Sequence, residues 1–161
     1  MVAIELLTEN SFFKVFSEDQ LKKLSETAEE LSCRAGAQIY KKGDPAGFFY
    51  LLEAGKIILI MDVNVGQMKP PMQVTVDFVA NGEVMGWSAV VEPYVYTLGA
   101  RCIENSKMIT FNAVKLRELI QSEPYLGLKF MQETAKVIAS RLTHTQIILV
   151  GERGLSVLSD Y

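Results

Sequence analysis

The spacing of apolar residues divides the chain into a helical start, a middle of short strands and a helical end. Near the N-terminus, Ser17 and Gln20 form a capping-box pattern. The apolar residues that follow at helical spacing are Leu21, Leu24, Ala28 and Leu31. We therefore predict a helix from Ser17 through Leu31 that ends before Gly36, with the aromatic run 12–16 forming a short helix or turn on the same core.

The middle of the chain, from Gln38 to Thr110, alternates short apolar runs with turn residues. The runs are Ile39–Tyr40, Phe48–Leu52, Lys56–Met61, Gln73–Phe78 and Lys107–Phe111. Glycine and proline separate them, and the polar stretch Asp62–Met72 is the longest predicted loop. Several short strands at regular spacing predict an antiparallel sandwich or barrel.

The last third returns to helical spacing. Asn112 is placed to cap a short helix that stops at Glu123, before Pro124. A longer helix is predicted from Pro124 to Val150, and Gly151 and Gly154 predict its end. Its apolar stripe contains Leu128, Met131, Ala135, Ile138, Leu142 and Leu149, with Thr145 interrupting it.

Composition narrows the function classes. The 161 residues include 16 Lys plus Arg, 19 Asp plus Glu, two cysteines and one histidine, with a formal net charge of -3. One domain fits this length. The mild acidity disfavours nucleic-acid binding, and one histidine disfavours most catalytic and metal sites. We therefore expect no enzyme activity, no metal, no cofactor and no direct DNA binding.

The sequence also contains no recognisable membrane-targeting or membrane-spanning segment. Residues 1–10 contain acids and no basic stretch before an apolar run, unlike a signal peptide. Apolar runs are far shorter than the roughly 20 residues that span a bilayer. We expect a cytoplasmic protein without membrane contact.

A set of ordered glycines carries a family resemblance. Gly36-x-x-Ile39, Gly43-Asp44, Tyr50-Leu51-Leu52, Gly55 and Gly82-Glu83 fall at spacings typical of one family. The chain resembles the cyclic nucleotide-binding domains, including the effector domain of the catabolite activator protein. The resemblance implies a mainly β fold, a jelly-roll-like β-roll over about residues 36–111 with an N-terminal helix, and C-terminal helices over about residues 112–150. It covers nearly the whole chain, so residues 1–161 are predicted to form a single domain.

The resemblance also implies a ligand site, the phosphate-binding cassette. In the family a cassette glutamate accepts a hydrogen bond from the ribose 2′-hydroxyl, and the resemblance implies that role for Glu83; the alternative is that Glu83 caps the cassette turn or is solvated. Backbone N–H groups of a short helix within Met85–Val90 face the cyclic phosphate. The candidate ligand-binding residues are Gly82, Glu83, Gly86, Trp87, Ser88, Ala89, Tyr96 and Thr97.

The sequence departs from the family at its phosphate-binding arginine. The residue aligned with that arginine is Tyr96, followed by Thr97 in the hydroxyl position. A tyrosine donates one neutral hydrogen bond and does not offset a phosphate charge. Arg101 lies five residues further, about 17 Å along an extended strand, and is too distant to substitute. We therefore expect an effector other than cyclic AMP, or weaker binding of cyclic AMP.

Aromatic residues near this position have two interpretations. Trp87 either stacks on a ligand or belongs to the core, and the core is the commoner place for a single aromatic residue. Tyr94 and Tyr96 alternate around Val95 and are predicted to face the same way. They line a pocket in one interpretation and only pack in the other. His144 is predicted to be a solvated or lightly hydrogen-bonded helix residue rather than a ligand or a catalytic base.

The ending of the chain shapes the expected partners. Only 11 residues follow Val150, so we expect no helix-turn-helix domain. Related regulators dimerise through the helix after the β-roll, which makes the apolar stripe a candidate homodimer seam. The alternative is that the stripe packs only within its own chain.

Three functional hypotheses follow. The first is a non-enzymatic regulatory module that senses a small effector and signals through its C-terminal helices, by its dimer state or through a partner protein. The second is a structural interaction module whose pocket is closed by Trp87 and the tyrosines. The third is a cupin-type metalloenzyme, since cupins share a related β-roll, although such sites need two or more histidines.

Overall fold

Two antiparallel sheets flanked by helices make up the molecule. The computed structural model describes the backbone of residues 2–159 and the side chains of residues 2–153. Its helices are α1 (Glu5–Thr8), α2 (Glu18–Glu26), α3 (Ala113–Ser122) and α4 (Pro124–Ser159), with a 3₁₀ turn at Trp87–Ala89 that we call the cassette helix. Its strands are β1 (Ala28–Cys33), β2 (Gln38–Tyr40), β3 (Phe48–Ala54), β4 (Ile57–Val63), β5 (Met72–Val79), β6 (Val84–Met85), β7 (Gly99–Cys102) and β8 (Ser106–Asn112).

The two sheets have four strands each. Their strand orders are β1-β8-β3-β6 and β2-β7-β4-β5. Strands β4 and β5 form a hairpin whose register runs from Ile57 opposite Val79 to Val63 opposite Met72. This arrangement confirms the predicted jelly-roll-like β-roll, and the hairpin loop lies within the stretch predicted to be a loop.

The predicted first helix begins as expected and ends early. Ser17 Oγ accepts from the Gln20 N–H, and Gln20 Oε1 accepts from the Ser17 N–H at 3.1 Å, which is a complete capping box. The helix stops at Glu26, however, and the next residues form β1, which pairs with β8 from Ala28 opposite Phe111. The prediction that Ala28 and Leu31 continue the helix is therefore wrong, and the β-roll begins before residue 36.

An aromatic cluster joins the N-terminal segment, the first sheet and α4. Phe13 stacks on Phe111 of β8 with ring centroids 5.2 Å apart. Phe12 meets Phe130 of α4 edge to face at 5.1 Å. These side chains are buried, so the aromatic run 12–16 packs on the core as predicted.

The C-terminal helices are capped and continuous. Asn112 Oδ1 accepts from the N–H groups of Val114 and Lys115, both at 3.1 Å, which confirms the predicted cap. Helix α4 then continues to Ser159, so the prediction that it ends at Gly151 and Gly154 is wrong. Glycine lowers helix stability by only about 1 kcal/mol relative to alanine, and a long helix tolerates this cost at each of the two positions.

Helix α4 presents different faces inward and outward. Leu126, Phe130 and Thr134 are buried against the body of the domain. The predicted apolar stripe lies elsewhere on the helix, where Leu128 and Leu142 are 59% and 57% exposed. The stripe is thus left largely uncovered by the chain itself.

Candidate ligand cavity under the cassette helix

The cassette helix begins at a glycine that no other residue replaces without strain. Gly86 has φ 75°, and a Cβ there would lie 2.9 Å from Tyr50 Cδ2 and 3.0 Å from the Phe48 carbonyl oxygen. The left-handed conformation and the close approach to β3 both require glycine. Gly86 therefore sets where the backbone turns from β6 into the cassette helix.

A cavity of about 220 Å³ lies between the cassette helix, the β-roll and α4. Its lining consists of Tyr40, Leu59, Met85, Gly86, Trp87, Ser88, Tyr96, Thr97, Leu98, Ile138, Arg141, Leu142 and Thr145. Most of these side chains are apolar or aromatic, and Ser88, Thr97 and Thr145 contribute hydroxyl groups. We call this space the cassette cavity.

Tyr96 forms a buried wall of the cassette cavity. Its ring stacks on Tyr40 with centroids 3.7 Å apart and an interplanar angle of 11°. Its hydroxyl donates to the Phe48 carbonyl oxygen at 2.7 Å and accepts from the Phe48 N–H at 3.2 Å. Burial raises the pKa of Tyr96, so this side chain stays neutral at physiological pH.

Glu83 lies outside the cassette cavity. Its carboxylate accepts from the Ala80 N–H at 2.9 Å and closes the turn before β6. The N–H of Gly82 in the same turn donates to the Leu52 carbonyl oxygen at 2.7 Å. Glu83 instead lines a neighbouring cavity of about 470 Å³ between the β5–β6 turn and α4. The structure brings five of the predicted ligand-binding residues to the cassette cavity, namely Gly86, Trp87, Ser88, Tyr96 and Thr97.

Ala89, the last residue of the cassette helix, is fully buried and links that helix to α3. Its carbonyl oxygen accepts from Arg117 Nη1 at 2.8 Å. The Arg117 guanidinium also lies over the Tyr94 ring, 4.3 Å from its centroid. Arg117 therefore ties the end of the cassette helix to the helix that precedes α4.

The prediction that Tyr94 and Tyr96 face the same way is wrong. Both residues precede β7, and Tyr94 has φ 58°, so the alternation of a regular strand does not apply to them. Its ring contacts Arg117 on α3, whereas the Tyr96 ring stacks on Tyr40. Arg101 contacts Gln73 on β5 and is absent from the lining of the cassette cavity.

Arg141 of α4 is the residue that sequence reasoning missed. Its Nη1 donates to Asp77 Oδ2 of β5 at 2.8 Å, and its Nη2 donates to the Val84 carbonyl oxygen at 3.2 Å. His144, one turn further along α4, lies with Nδ1 3.4 Å from Asp77 Oδ1 and is half-exposed, as expected for a lightly bonded helix residue. In the sequence, the one signal for this contact is the spacing of Val137, Arg141 and His144, which lie four and three residues apart and so share one helix face.

Other chemistry is sparse in the part of the chain that the structure describes. There, no three His, Cys, Asp or Glu side chains come together at metal-binding distance. No helix within that part combines the length and apolar character needed to cross a bilayer.

Comparison with known proteins decides the family. The model of the cyclic nucleotide-binding domain matches residues 30–123, more than half of the chain. The chain belongs to the cyclic nucleotide-binding domain family. Domains of this family are regulatory, and small-molecule effectors bind to its members. No curated protein sequence matches the chain.

Solved structures of related domains agree with this assignment. A protein from Geobacter metallireducens described as cyclic nucleotide-binding has 29% identity and a TM-score of 0.78, covering 88% of this chain and 99% of its own. A cyclic nucleotide-binding domain from Methylobacillus flagellatus has 17% identity and a TM-score of 0.76, covering 92% and 81%. The catabolite activator protein of Thermus thermophilus, at 19% identity and a TM-score of 0.66, shares the fold over 92% of this chain and 62% of its own.

Proposed function

We propose that this cyclic nucleotide-binding domain is a regulatory sensor of a small effector, and that it binds cyclic AMP weakly or not at all. The observation that carries the proposal is Tyr96, which takes the place of the family's phosphate-binding arginine. Its hydroxyl already forms two hydrogen bonds with the Phe48 backbone, and the side chain carries no charge. A cyclic phosphate entering this cavity would lose its hydration without gaining the charge-assisted hydrogen bonds that an arginine supplies.

The cassette cavity itself supports a sensor over a closed interaction module. Tyr40 and Tyr96 stack on each other and fill part of the β-roll. A space of about 220 Å³ still lies beside them, and Ser88, Thr97 and Thr145 add small hydroxyl-bearing side chains to its lining. Concave apolar space with a few polar groups is the usual form of a small-molecule site.

Helix α4 offers a route for the signal. Ile138, Leu142 and Thr145 line the cassette cavity and also lie on the apolar stripe. The full stripe, Leu128, Met131, Ala135, Ile138, Leu142, Thr145 and Leu149, follows an alternating spacing of three and four residues, as in a coiled coil. We propose that α4 pairs with α4 of a second copy, so that an effector contacts the seam directly and shifts the dimer state or the surface offered to a partner protein.

A thermal-shift screen with a blocked cavity tests the sensor hypothesis. An effector that binds only the folded domain raises its melting temperature. We expect such an effector to lose its stabilising effect in Thr97→Trp, which puts a bulky side chain at the lining of the cassette cavity, and to keep it in Glu92→Gln outside the lining. Stabilisation that survives in Thr97→Trp would place the effector elsewhere and contradict the proposal.

A further inference from the structure

Arg141 supplies the charge in the wall of the cassette cavity. Among the described residues that line this cavity, every other side chain is neutral. The cavity of about 220 Å³ is smaller than the roughly 300–1,000 Å³ typical of sites for drug-sized ligands. Size and lining together indicate a compact ligand with an apolar body and one group that an arginine recognises.

The Arg141 guanidinium keeps N–H donors that no group in the described part of the chain uses. Of its five N–H groups, one on Nη1 serves Asp77 and one on Nη2 serves the Val84 carbonyl, which leaves a second N–H on each of these nitrogens. The fifth, on Nε, is covered by the protein. A donor without a partner costs free energy, so a ligand acceptor at the free Nη groups would be favoured.

Asp77 stays paired when Arg141 shares its donors. The Asp77 side chain is 18% exposed, and its second oxygen lies 3.4 Å from His144 Nδ1. Asp77 therefore has partners on two successive turns of α4. If Arg141 moved partly towards a ligand, the Asp77 carboxylate would still lie beside His144, which limits the free-energy cost of a buried charge.

We infer that the cassette cavity takes a small aromatic molecule with a single carboxylate group, and that Arg141 binds this carboxylate through the free N–H groups of Nη1 and Nη2 while it retains Asp77. The inference rests on the proposed sensor function and names the class of its effector. Arginine suits this role because its planar fork matches the two oxygens of a carboxylate. The rings of Tyr40, Trp87 and Tyr96 offer the surface on which an aromatic body packs.

Trp87 reports binding in this cavity directly. It is the single tryptophan of the sequence and lies in the cavity wall, so its fluorescence responds to ligands there. Benzoate and benzamide have nearly the same shape and differ in charge. We expect benzoate to bind wild type at least tenfold more tightly than benzamide, and acetate, which lacks the ring, at least tenfold more weakly than benzoate, at matched ionic strength. Equal affinities for benzoate and benzamide, or no binding of either at millimolar concentration, would overturn the inference.

Substitutions assign the preference to Arg141. Arg141→Gln is expected to bind benzoate and benzamide equally. Lys136 lines the neighbouring cavity, so the control Lys136→Gln should keep the wild-type preference for benzoate. Asp77→Asn removes the competing carboxylate and is expected to tighten benzoate binding severalfold, a gain that a purely structural role for Arg141 would not produce. An unchanged preference in Arg141→Gln, or unchanged benzoate binding in Asp77→Asn, would contradict the assignment. A neutral effector whose stabilising effect is lost in Thr97→Trp would leave the sensor function standing while the carboxylate inference failed.

Discussion

The Tyr96 hydroxyl donates a hydrogen bond to the Phe48 carbonyl oxygen at 2.7 Å and accepts one from the Phe48 N–H at 3.2 Å. This pair of bonds fastens the segment after the cassette helix to the first residue of β3. Tyr96, which we align with the family's phosphate-binding arginine, thus has a structural role of its own.

Removal of the Tyr96 hydroxyl should weaken the fold. Tyr96→Phe leaves a partly buried carbonyl and N–H of Phe48 without their partner, and we expect a loss of about 1–2 kcal/mol in the free energy of unfolding. Urea denaturation measures this loss. Tyr125→Phe, at a side chain that is 82% exposed, is the matched control and should change stability by less than about 0.5 kcal/mol. Equal effects of the two substitutions would show that the Phe48 contact adds nothing.

Two glycines of α4 should respond to alanine in opposite directions. A Cβ at Gly127 would lie 2.3 Å from the Ile120 carbonyl oxygen, so Gly127→Ala pushes α3 and α4 apart and should cost about 1–3 kcal/mol. Gly151 has no atom within 4 Å of the same position, so Gly151→Ala should stabilise the protein by up to about 1 kcal/mol through helix propensity. Thermal denaturation of both variants checks the two signs. Stabilisation by Gly127→Ala would contradict the close approach of the two helices.

Alkaline pH should destabilise the fold partly through Cys102. Burial, together with the neighbouring Cys33 thiol, raises the pKa of Cys102 from an ordinary 9.0 to about 12. Because the folded state holds this thiol neutral, its stabilising effect is complete below pH 9 and is lost as pH rises towards 12.

A comparison of pH profiles isolates this group. Each protein is normalised to its own unfolding free energy at pH 7, and Cys102→Ala is expected to lose less stability than wild type between pH 9 and 12. Parallel profiles for wild type and Cys102→Ala would show that the thiol does not titrate in this way.

The exposed stripe of α4 should control association. Leu128 is 59% and Leu149 is 49% exposed, and glutamate at both positions would place like charges along the proposed seam. We expect wild type to sediment as a dimer and Leu128→Glu/Leu149→Glu to sediment as a monomer. Gln132→Glu, which adds a charge outside the seam, should remain dimeric. A monomeric wild type at all concentrations would contradict the proposed dimer seam.

Local chemistry made the starts of two helices predictable from sequence. The Ser17–Gln20 capping box and the Asn112 cap need only residues within one turn, so their patterns identify the starts of α2 and α3. The end of α2 was not predictable in this way. Ala28 and Leu31 continue the helical spacing, and they become strand because β8, about 80 residues later, pairs with them.

The residues of the candidate site that lie close together in sequence could be predicted. Those that come from distant elements of the chain could not. The run from Gly86 to Ser88, with Tyr96 and Thr97, could be located because the family arranges these positions in sequence. Arg141 could not, because its contact with Asp77 joins residues 64 positions apart across two elements. For Glu83 the sequence allows either a ligand contact or a turn cap, and in the structure its carboxylate closes the turn.

Calorimetry with cyclic AMP measures directly whether Tyr96 keeps this nucleotide from binding well. The variants are Tyr96→Arg, which restores the family's cation, and Tyr96→Gln, which is polar but neutral and controls for loss of the Phe48 contact. Circular dichroism first establishes that both are folded. We expect no binding or weak binding to wild type and Tyr96→Gln, and measurable binding to Tyr96→Arg. Micromolar or tighter binding of cyclic AMP to wild type would contradict this expectation.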